Sequence, residues 1–530
     1  MKNILLLGVL MLVTFTQAQI SILSQKKIGS NKDDFLKFSI TSDSLSYIFV
    51  GESDSDALFD KSEACKGGSD IWIVKTDLNF NILWDKTIGG SSTDIFNSFL
   101  LTDSVIYCLI SSYSSNSGDF TFTNYGFNDL VLFKLDYNGN LLAQQNYGGS
   151  GSEGYGTLLQ KNDKLVIVSS SSSDISGNKT EVNLGGSDFW ILEIEPSNFS
   201  IINQKVIGTN QQEDYTYGVI NDLNELYIAC SNVSPINIDK SCNGYGYSDI
   251  WVLKLDSSFN VINDNCYGGV DNEIYPRLCV KGNDIFLLSR SHSGASGNKT
   301  SPYQGTFDGF SRPDAWLVKL DSNLNILWDK TFGGTNDEFV SSIQIINENL
   351  ISLNCISSSI QNSGNKTSPL YGASDAWIVF VDTNGNKLGE YSFGGTNNET
   401  IGSVLLKNDT LVFAGQTNSP ISGNQNVGTN GLNDVWLMKL KLSGLGLEKE
   451  SEQSNNIDVY PNPFSKQVTF SLKSAKYETS KIELFSADGR KIDEIEINQA
   501  TNQAVWNPKC ENGIYYYSCG NINGKIMYVK

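Results

Sequence analysis

Ser69-Asp70-Ile71-Trp72-Ile73-Val74-Lys75 is one copy of a segment that recurs through most of this 530-residue chain. The other copies open at Asn128-Asp129-Leu130-Val131, Ser187-Asp188-Phe189-Trp190, Ser248-Asp249-Ile250-Trp251, Pro313-Asp314-Ala315-Trp316, Ser374-Asp375-Ala376-Trp377 and Asn433-Asp434-Val435-Trp436. Successive Asp residues stand 59, 59, 61, 65, 61 and 59 positions apart. Each copy continues as an apolar strand, a polar turn such as Asp136-Tyr137-Asn138-Gly139-Asn140, a second strand and a glycine pair. The pairs are Gly89-Gly90, Gly148-Gly149, Gly268-Gly269, Gly333-Gly334 and Gly394-Gly395, with Gly29-Ser30 and Gly208-Thr209 as degenerate forms. Two further β-rich runs follow each pair, as in Phe339–Ile346 and Leu350–Ser357, and no stretch carries a helical period.

Four short strands per unit, repeated seven times, predict an all-β fold: a seven-bladed β-propeller over residues 19–445. The phase of the repeat predicts its closure. The chain begins with an orphan last strand, Ile20–Ile28, and the seventh unit stops after its third strand near Leu442. The N-terminal strand is therefore expected to complete the last blade and leave no open edge.

The start of the chain reads as an export signal over residues 1–18: Lys2, an apolar run from Ile4 to Val13, and Thr16-Gln17-Ala18 before the cut. The run is too short for a membrane span, so no transmembrane segment is expected. With 58 Asp and Glu against 38 Lys and Arg, a net charge of −20 speaks against nucleic acid and anionic membrane surfaces. One histidine, His292, excludes sites built on two imidazoles. It precedes a long loop and reads as an incidental surface residue. Nine cysteines is an odd number, so at least one is unpaired or intermolecular.

Four residues after each glycine pair stands an acid: Asp34, Asp94, Glu153, Glu213, Glu273, Glu338 and Glu399. They open the strand expected to be innermost and would circle one mouth of the channel. Two readings stand side by side. In one, each carboxylate accepts backbone N–H bonds in its own glycine-rich loop, as Asp does in turns. In the other, the ring binds a ligand or a hard cation such as calcium through oxygen; otherwise no cofactor is implied. The six repeated Trp read as packing between blades, Asp136–Asn140 as a hairpin turn, and Lys75, Lys134, Lys254, Lys319 and Lys439 as partners for neighbouring carboxylates. Loops carrying Ser-Gly-Asn-Lys-Thr at 176–180, 296–300 and 363–367 share one face, which is the expected recognition surface.

The repeats, with their Gly-Gly-x-x-x-acid, Ser-Gly-Asn and Asp-x-Trp runs, resemble the seven-bladed β-propeller repeats of exported bacterial proteins and lipoproteins. That resemblance implies fold and not activity. Residues 446–456 read as a linker, and 457–530 as a small β-sandwich of short strands. This last segment is similar to the C-terminal type A sorting domain of the type IX (Por) secretion system of Bacteroidota. The matching residues are Tyr460-Pro461-Asn462-Pro463, Leu484–Arg490 with Gly489 and Arg490, Asn512-Gly513-Ile514-Tyr515-Tyr516, and Lys525–Lys530. The resemblance implies passage through the periplasm, recognition by the type IX translocon, removal by its C-terminal signal peptidase, and release or attachment at the outer cell surface. Cys510 and Cys519 depart from the family pattern; placed to bridge strands, they are read as a disulfide, with two free thiols as the alternative. Two functions follow as expectations. The preferred one is a non-catalytic binding or scaffold module for an extracellular glycan or protein; the alternative is a polysaccharide hydrolase or lyase using channel-face carboxylates.

Overall fold

The computed structural model describes residues 19–42, 45–102, 105–305, 312–407, 410–443, 457–472, 481–486, 490–498, 501–510, 512–519 and 522–529. Residues 1–18, read above as an export signal, residues 446–456, read as a linker, Gly489 and Lys530 lie outside them. The chain divides into two compact units, Met1–Leu445 and Gly446–Lys530.

Among the described residues the first unit holds seven four-stranded antiparallel sheets and no helix, a propeller-like arrangement. One sheet runs Glu273–Lys281, Asp284–Ser291, Asp314–Leu320 and Ile326–Phe332, and five others follow the same order. The remaining sheet takes Glu399–Lys407, Thr410–Thr417 and Asp434–Ser443 from the end of the repeat and Gln19–Ile28 from its beginning. Gln19 stands opposite Ser443 and Ile28 opposite Val435 in that antiparallel pairing. First strands touch first strands of the sheets on either side. Asp34–Ser42 touches both Asp94–Leu101 and Glu399–Lys407, so the series returns to its start.

Third strands are buried on both faces, which is why they read as near-continuous apolar runs. Trp72, Trp190, Trp251, Trp316, Trp377 and Trp436 are all fully buried between sheets. Each has found a partner for its indole N–H on the outermost strand: Asp85 at 2.9 Å, Gln204 at 3.1 Å, Asp264 at 2.8 Å, Asp329 at 2.9 Å, Glu390 at 2.9 Å and, across the closing pair, Gln25 at 3.1 Å. An apolar body with a satisfied polar tip is what burial of Trp requires. Trp316→Ala is expected to lower unfolding free energy by about 3–5 kcal/mol in chemical denaturation, through lost burial and the cavity left behind.

The hairpin between third and fourth strands is closed by an Asp. Asp136 Oδ1 accepts the N–H of Asn138 and of Asn140, both at 2.9 Å, as Asp77, Asp256, Asp321 and Asp382 do in their own copies. The fourth residue of this turn has positive φ. It is Gly139 (83°) or Gly385 (77°) in two copies and Phe80 (64°), Phe259 (65°) or Leu324 (64°) in three others; in the longer turn that opens at Glu195 it is the fifth residue, Phe199 (60°). The bulky residues are buried and pack into the seam beside them. Where glycine stands, a Trp from the neighbouring sheet fills the space: a Cβ on Gly139 would lie 3.1 Å from the Trp84 ring, and one on Gly385 2.8 Å from Trp328. Lys254 and Lys319 meet Glu225 (2.8 Å) and Asp284 (2.7 Å) as the spacing suggested.

The second unit has a three-stranded sheet, Ile457–Tyr460, Val468–Leu472 and Gln503–Trp506, and a four-stranded one, Lys481–Phe485, Lys491–Glu496, Gly513–Cys519 and Ile522–Tyr528. They share one core, bridged by Phe470 against Tyr517 (5.0 Å) and Trp506 against Tyr515 (5.6 Å).

The disulfide expectation is corrected. Cys510 is a thiol, packed at the rim of this core. Cys519 closes the seven-residue strand Gly513–Cys519, which spans roughly 20 Å, and is buried in the core, whereas Cys510 precedes that strand. The bridge lies in the first unit, between Cys242 and Cys266, whose Cα atoms are 5.6 Å apart. Cys242 sits in a long loop whose fold the repeat pattern does not describe.

Candidate functional site

The seven acids after the glycine pairs occupy the seams between sheets. The N–H of each donates to a carbonyl of the preceding sheet, just before its strand-opening Asp. Examples are Asp34 to Asn433 (3.0 Å), Asp94 to Ser69 (2.7 Å), Glu213 to Ser187 (2.8 Å) and Glu338 to Pro313 (2.8 Å). One carboxylate oxygen accepts the N–H of the second residue of the pair: Ser30 to Asp34 at 2.6 Å, Gly90 to Asp94 at 2.8 Å, Gly149 to Glu153 at 3.2 Å, Gly269 to Glu273 at 2.7 Å, Gly334 to Glu338 at 2.9 Å, Gly395 to Glu399 at 2.7 Å. The other accepts a side chain from the second strand, as Ser53 donates to Asp34 (2.6 Å), Ser291 to Glu273 (2.6 Å), Ser357 to Glu338 (2.8 Å) and Asn232 to Glu213 (2.8 Å). All seven have 0% exposure. They therefore do not face the channel as a ring of solvent-accessible acids, because their own loops and second strands enclose them.

The strand-opening Asp residues complete each seam. Asp129, Asp249, Asp314 and Asp375 accept the N–H of a preceding loop residue at 2.6–2.9 Å through Oδ2. Their Oδ1 atoms, and those of Asp70, Asp188 and Asp434, are buried without a hydrogen-bond partner. Each such oxygen points at the first glycine of the pair. A Cβ on Gly333 would stand 2.0 Å from Asp314 Oδ1 and 2.6 Å from Glu338 Oε2, and on Gly268 1.7 Å from Asp249 Oδ1 and 2.6 Å from Glu273 Oε2. The glycine is thus required by close approach, and two carboxyl groups converge behind it.

Two buried carboxylates side by side cannot both ionise cheaply. Burial pushes Asp314 up to about 8 and Glu338 to about 7, with the facing acid adding to the effect on Asp314. Burial, reinforced by Asp188, pushes Glu213 up to about 9. Asp94, Asp375 and Asp434 rise to about 6, again chiefly by burial. Between Asp188 and Glu213 and between Asp314 and Glu338, a proton held by one acid supplies the donor that the orphaned Oδ1 lacks. Among the described residues no three His, Cys, Asp or Glu side chains gather as a metal-ligand cluster.

The Ser-Gly-Asn-Lys-Thr loops are joints. Asn178, Asn298 and Asn365 each accept the N–H of the first glycine of a pair (Gly148, Gly268, Gly333) at 2.9–3.0 Å and donate back to the outermost strand of the same preceding sheet. The Lys of the motif turns inward. Lys179, Lys299 and Lys366 are at most 2% exposed, and Lys299 donates to Ser301 O (2.8 Å) and Thr331 Oγ1 (2.6 Å) beneath the Trp316 ring. Burial holds Lys299 down at about 8. His292 is half-buried, its N–H bonded to Asn272 O at 2.9 Å.

What breaks the repeat lies on the first strands of three successive sheets. Tyr155, Tyr215 and Tyr275 each stand two residues after the seam acid, where Leu36, Phe96, Val340 and Ile401 stand in the other copies. All three have positive φ (49°, 57° and 59°), at points where the pairing register slips. Their rings form a row, Tyr155 to Tyr215 at 5.7 Å and Tyr215 to Tyr275 at 3.8 Å, and the Arg290 guanidinium covers Tyr275 at 4.0 Å and Phe339 at 4.5 Å. A cleft of about 370 Å³ opens next to Asp214, lined also by Asn210, Gln211, Gln212, Ser231 and Val233. Sequence reading missed this cluster; its trace was there as three tyrosines at one repeat position.

Within the second unit, Asn462 of the Tyr-Pro-Asn-Pro run accepts Met527 N–H (2.8 Å) and donates to Lys525 O (3.1 Å), tying the run to the last strand. Tyr460 is half exposed, Tyr515 lies in the core, and Arg490 O accepts the N–H of Ser486 (2.9 Å) to close a turn. Residues 458–529 match the model of the secretion system C-terminal sorting domain. This unit is a sorting domain. A sorting domain of this family implies export by the type IX system to the outside or the cell surface. Among the described residues no helix is long and apolar enough to cross a membrane. No curated protein matches the chain. Among solved structures it is similar to the polysaccharide lyase Uly1 (TM-score 0.42, 9% identity, 78% of this chain and 90% of that one) and a thermostable family-43 glycoside hydrolase (0.29, 9%, 58% and 95%). A Synechocystis apocarotenoid oxygenase mutant also matches (0.31, 12%, 54% and 58%), so the chain spans little over half of that protein. None of these similarities is high enough to carry an argument about function.

Proposed function

We propose that residues 19–445 form a seven-bladed β-propeller that acts outside the cell as a non-catalytic binding module, delivered by the sorting domain. In this reading residues 1–18 direct the first export step and the type IX translocon and its signal peptidase handle the second. The sorting unit itself is read as a small sandwich. The observation that carries the binding function is the fate of the repeated carboxylates. All fourteen are at most 2% exposed and are engaged in seams, so they offer no accessible acid and base to flank a glycosidic bond. The ligand is an extracellular glycan or protein. The unrepeated tyrosines, with Asp214 near Tyr155 and Tyr215 and Arg290 over Tyr275, favour the polysaccharide-cleaving alternative.

Glycan-array screening of the purified full chain, paired with assays for new reducing ends and for unsaturated products, tests the proposal. Saturable binding without turnover is the expected result. Turnover of any polymer overturns it.

A further inference from the structure

We infer that the row Tyr155–Tyr215–Tyr275 and the cleft at Asp214 form one binding site for a neutral glycan, with a sugar face on Tyr155 and hydroxyls on the cleft. This deepens the binding-module reading and rests on it.

Architecture in this unit repeats, as the seam acids, tryptophans and turn aspartates do. The tyrosines occur in three sheets only, consecutive ones. Each aromatic residue is held at positive φ, a conformation costing on the order of 1–3 kcal/mol that persists only where the surrounding structure enforces it. Tyr275 is fixed by Tyr215 and by Arg290, whose guanidinium is in turn backed by Phe339. The row ends in Tyr155, 56% exposed, a large ring held out to water on a rigid support. Pre-organised aromatic surface of this kind binds without an ordering penalty.

The ligand class follows from what surrounds the row. The cleft reaches the row through Asp214, the residue before Tyr215; it presents amides, the hydroxyls of Ser231 and Ser248 and the Asp214 carboxylate, which lies close enough to affect the ionisation of both Tyr155 and Tyr215. Fixed donors and acceptors beside an aromatic face suit a molecule with hydroxyls on its edge and C–H groups on its face, which is a pyranose. Asp214 and the net charge of −20 disfavour uronate or sulfate groups, so the sugar is uncharged.

The test is titration calorimetry of the full chain against laminarin, galactomannan and dextran, with alginate as the anionic counterpart. Binding to at least one neutral polymer is expected, weakened roughly tenfold or more by Tyr155→Ala and retained by Tyr155→Phe, which keeps the ring. Thermal unfolding of both variants should match the parent, since Tyr155 is largely exposed. No neutral polymer bound, alginate bound as tightly, or Tyr155→Ala and Tyr215→Ala both binding like the parent would each overturn the site. Cleavage during the titration defeats the non-catalytic reading alone; the site then stands if Tyr155→Ala raises KM and falls if it leaves KM unchanged.

Discussion

A chain that begins at Gly29 is expected to lose more than 5 kcal/mol of stability, on the order of the whole margin of an ordinary domain, and to aggregate in gel filtration at neutral pH. Residues 19–28 are the fourth strand of the last sheet, paired along their length with Asp434–Ser443. Without them that apolar third strand becomes an edge with unpaired N–H and C=O groups, a template for association. Trp436 also loses the Gln25 acceptor at 3.1 Å, leaving a buried indole N–H unpaired. Adding a synthetic peptide of residues 19–28 to the shortened chain should restore part of the lost melting temperature. A truncated chain that melts like the parent would show that the closing strand contributes nothing.

The second large effect is a loss of stability in alkali. The folded chain holds Asp94, Asp375 and Asp434 at about 6, Glu338 at about 7, Asp314 at about 8 and Glu213 at about 9. In an unfolded chain such groups titrate near 4. The folded state therefore keeps protons that the unfolded state releases. The stability this gives is complete below about pH 4 and is lost stepwise as pH rises through the folded values. At about 1.4 kcal/mol per unit, the melting temperature should drop by roughly 10 °C or more between pH 5 and pH 9. Lys299, held at about 8 and facing Asp314, Glu273 and Asp329, opposes this trend only above pH 8.

Glu213→Gln isolates one seam. Glu213 Oε1 already accepts from Thr209 (2.7 Å) and Asn232 (2.8 Å), while Oε2 and the facing Asp188 Oδ1 have no partner. A glutamine amide keeps the acceptor and donates to Asp188 without a titrating proton. The variant should gain about 1–3 kcal/mol at pH 9 and little at pH 5 in urea denaturation. Equal effects at both pH values would argue against a shared proton.

Much of this was legible in the chain itself. Asp-x-Trp at intervals near 60 announced third strands, the glycine pairs announced the seams, and the orphan strand Ile20–Ile28 announced its pairing with the end of the repeat. Such features are local or periodic, and strand patterning is written every second residue. The Tyr-Pro-Asn-Pro and Asn-Gly-Ile-Tyr-Tyr runs likewise identified the sorting domain without coordinates.

Other features depended on which residues meet across sheets. That Glu338 faces Asp314, 24 positions before it, and that both crowd Gly333, is a matter of seam geometry. That the bridge joins Cys242 to Cys266 was set by where a long loop meets the outermost strand Val261–Tyr267. Asn178 and Lys179 looked like exposed loop residues until the loop folded back on its neighbour. The tyrosine row joins residues 60 positions apart that touch only because first strands lie side by side around the ring. Periodicity is carried by the backbone's own geometry and so can be read along the chain, whereas burial, charge pairing and ring stacking are properties of neighbours that folding alone brings together.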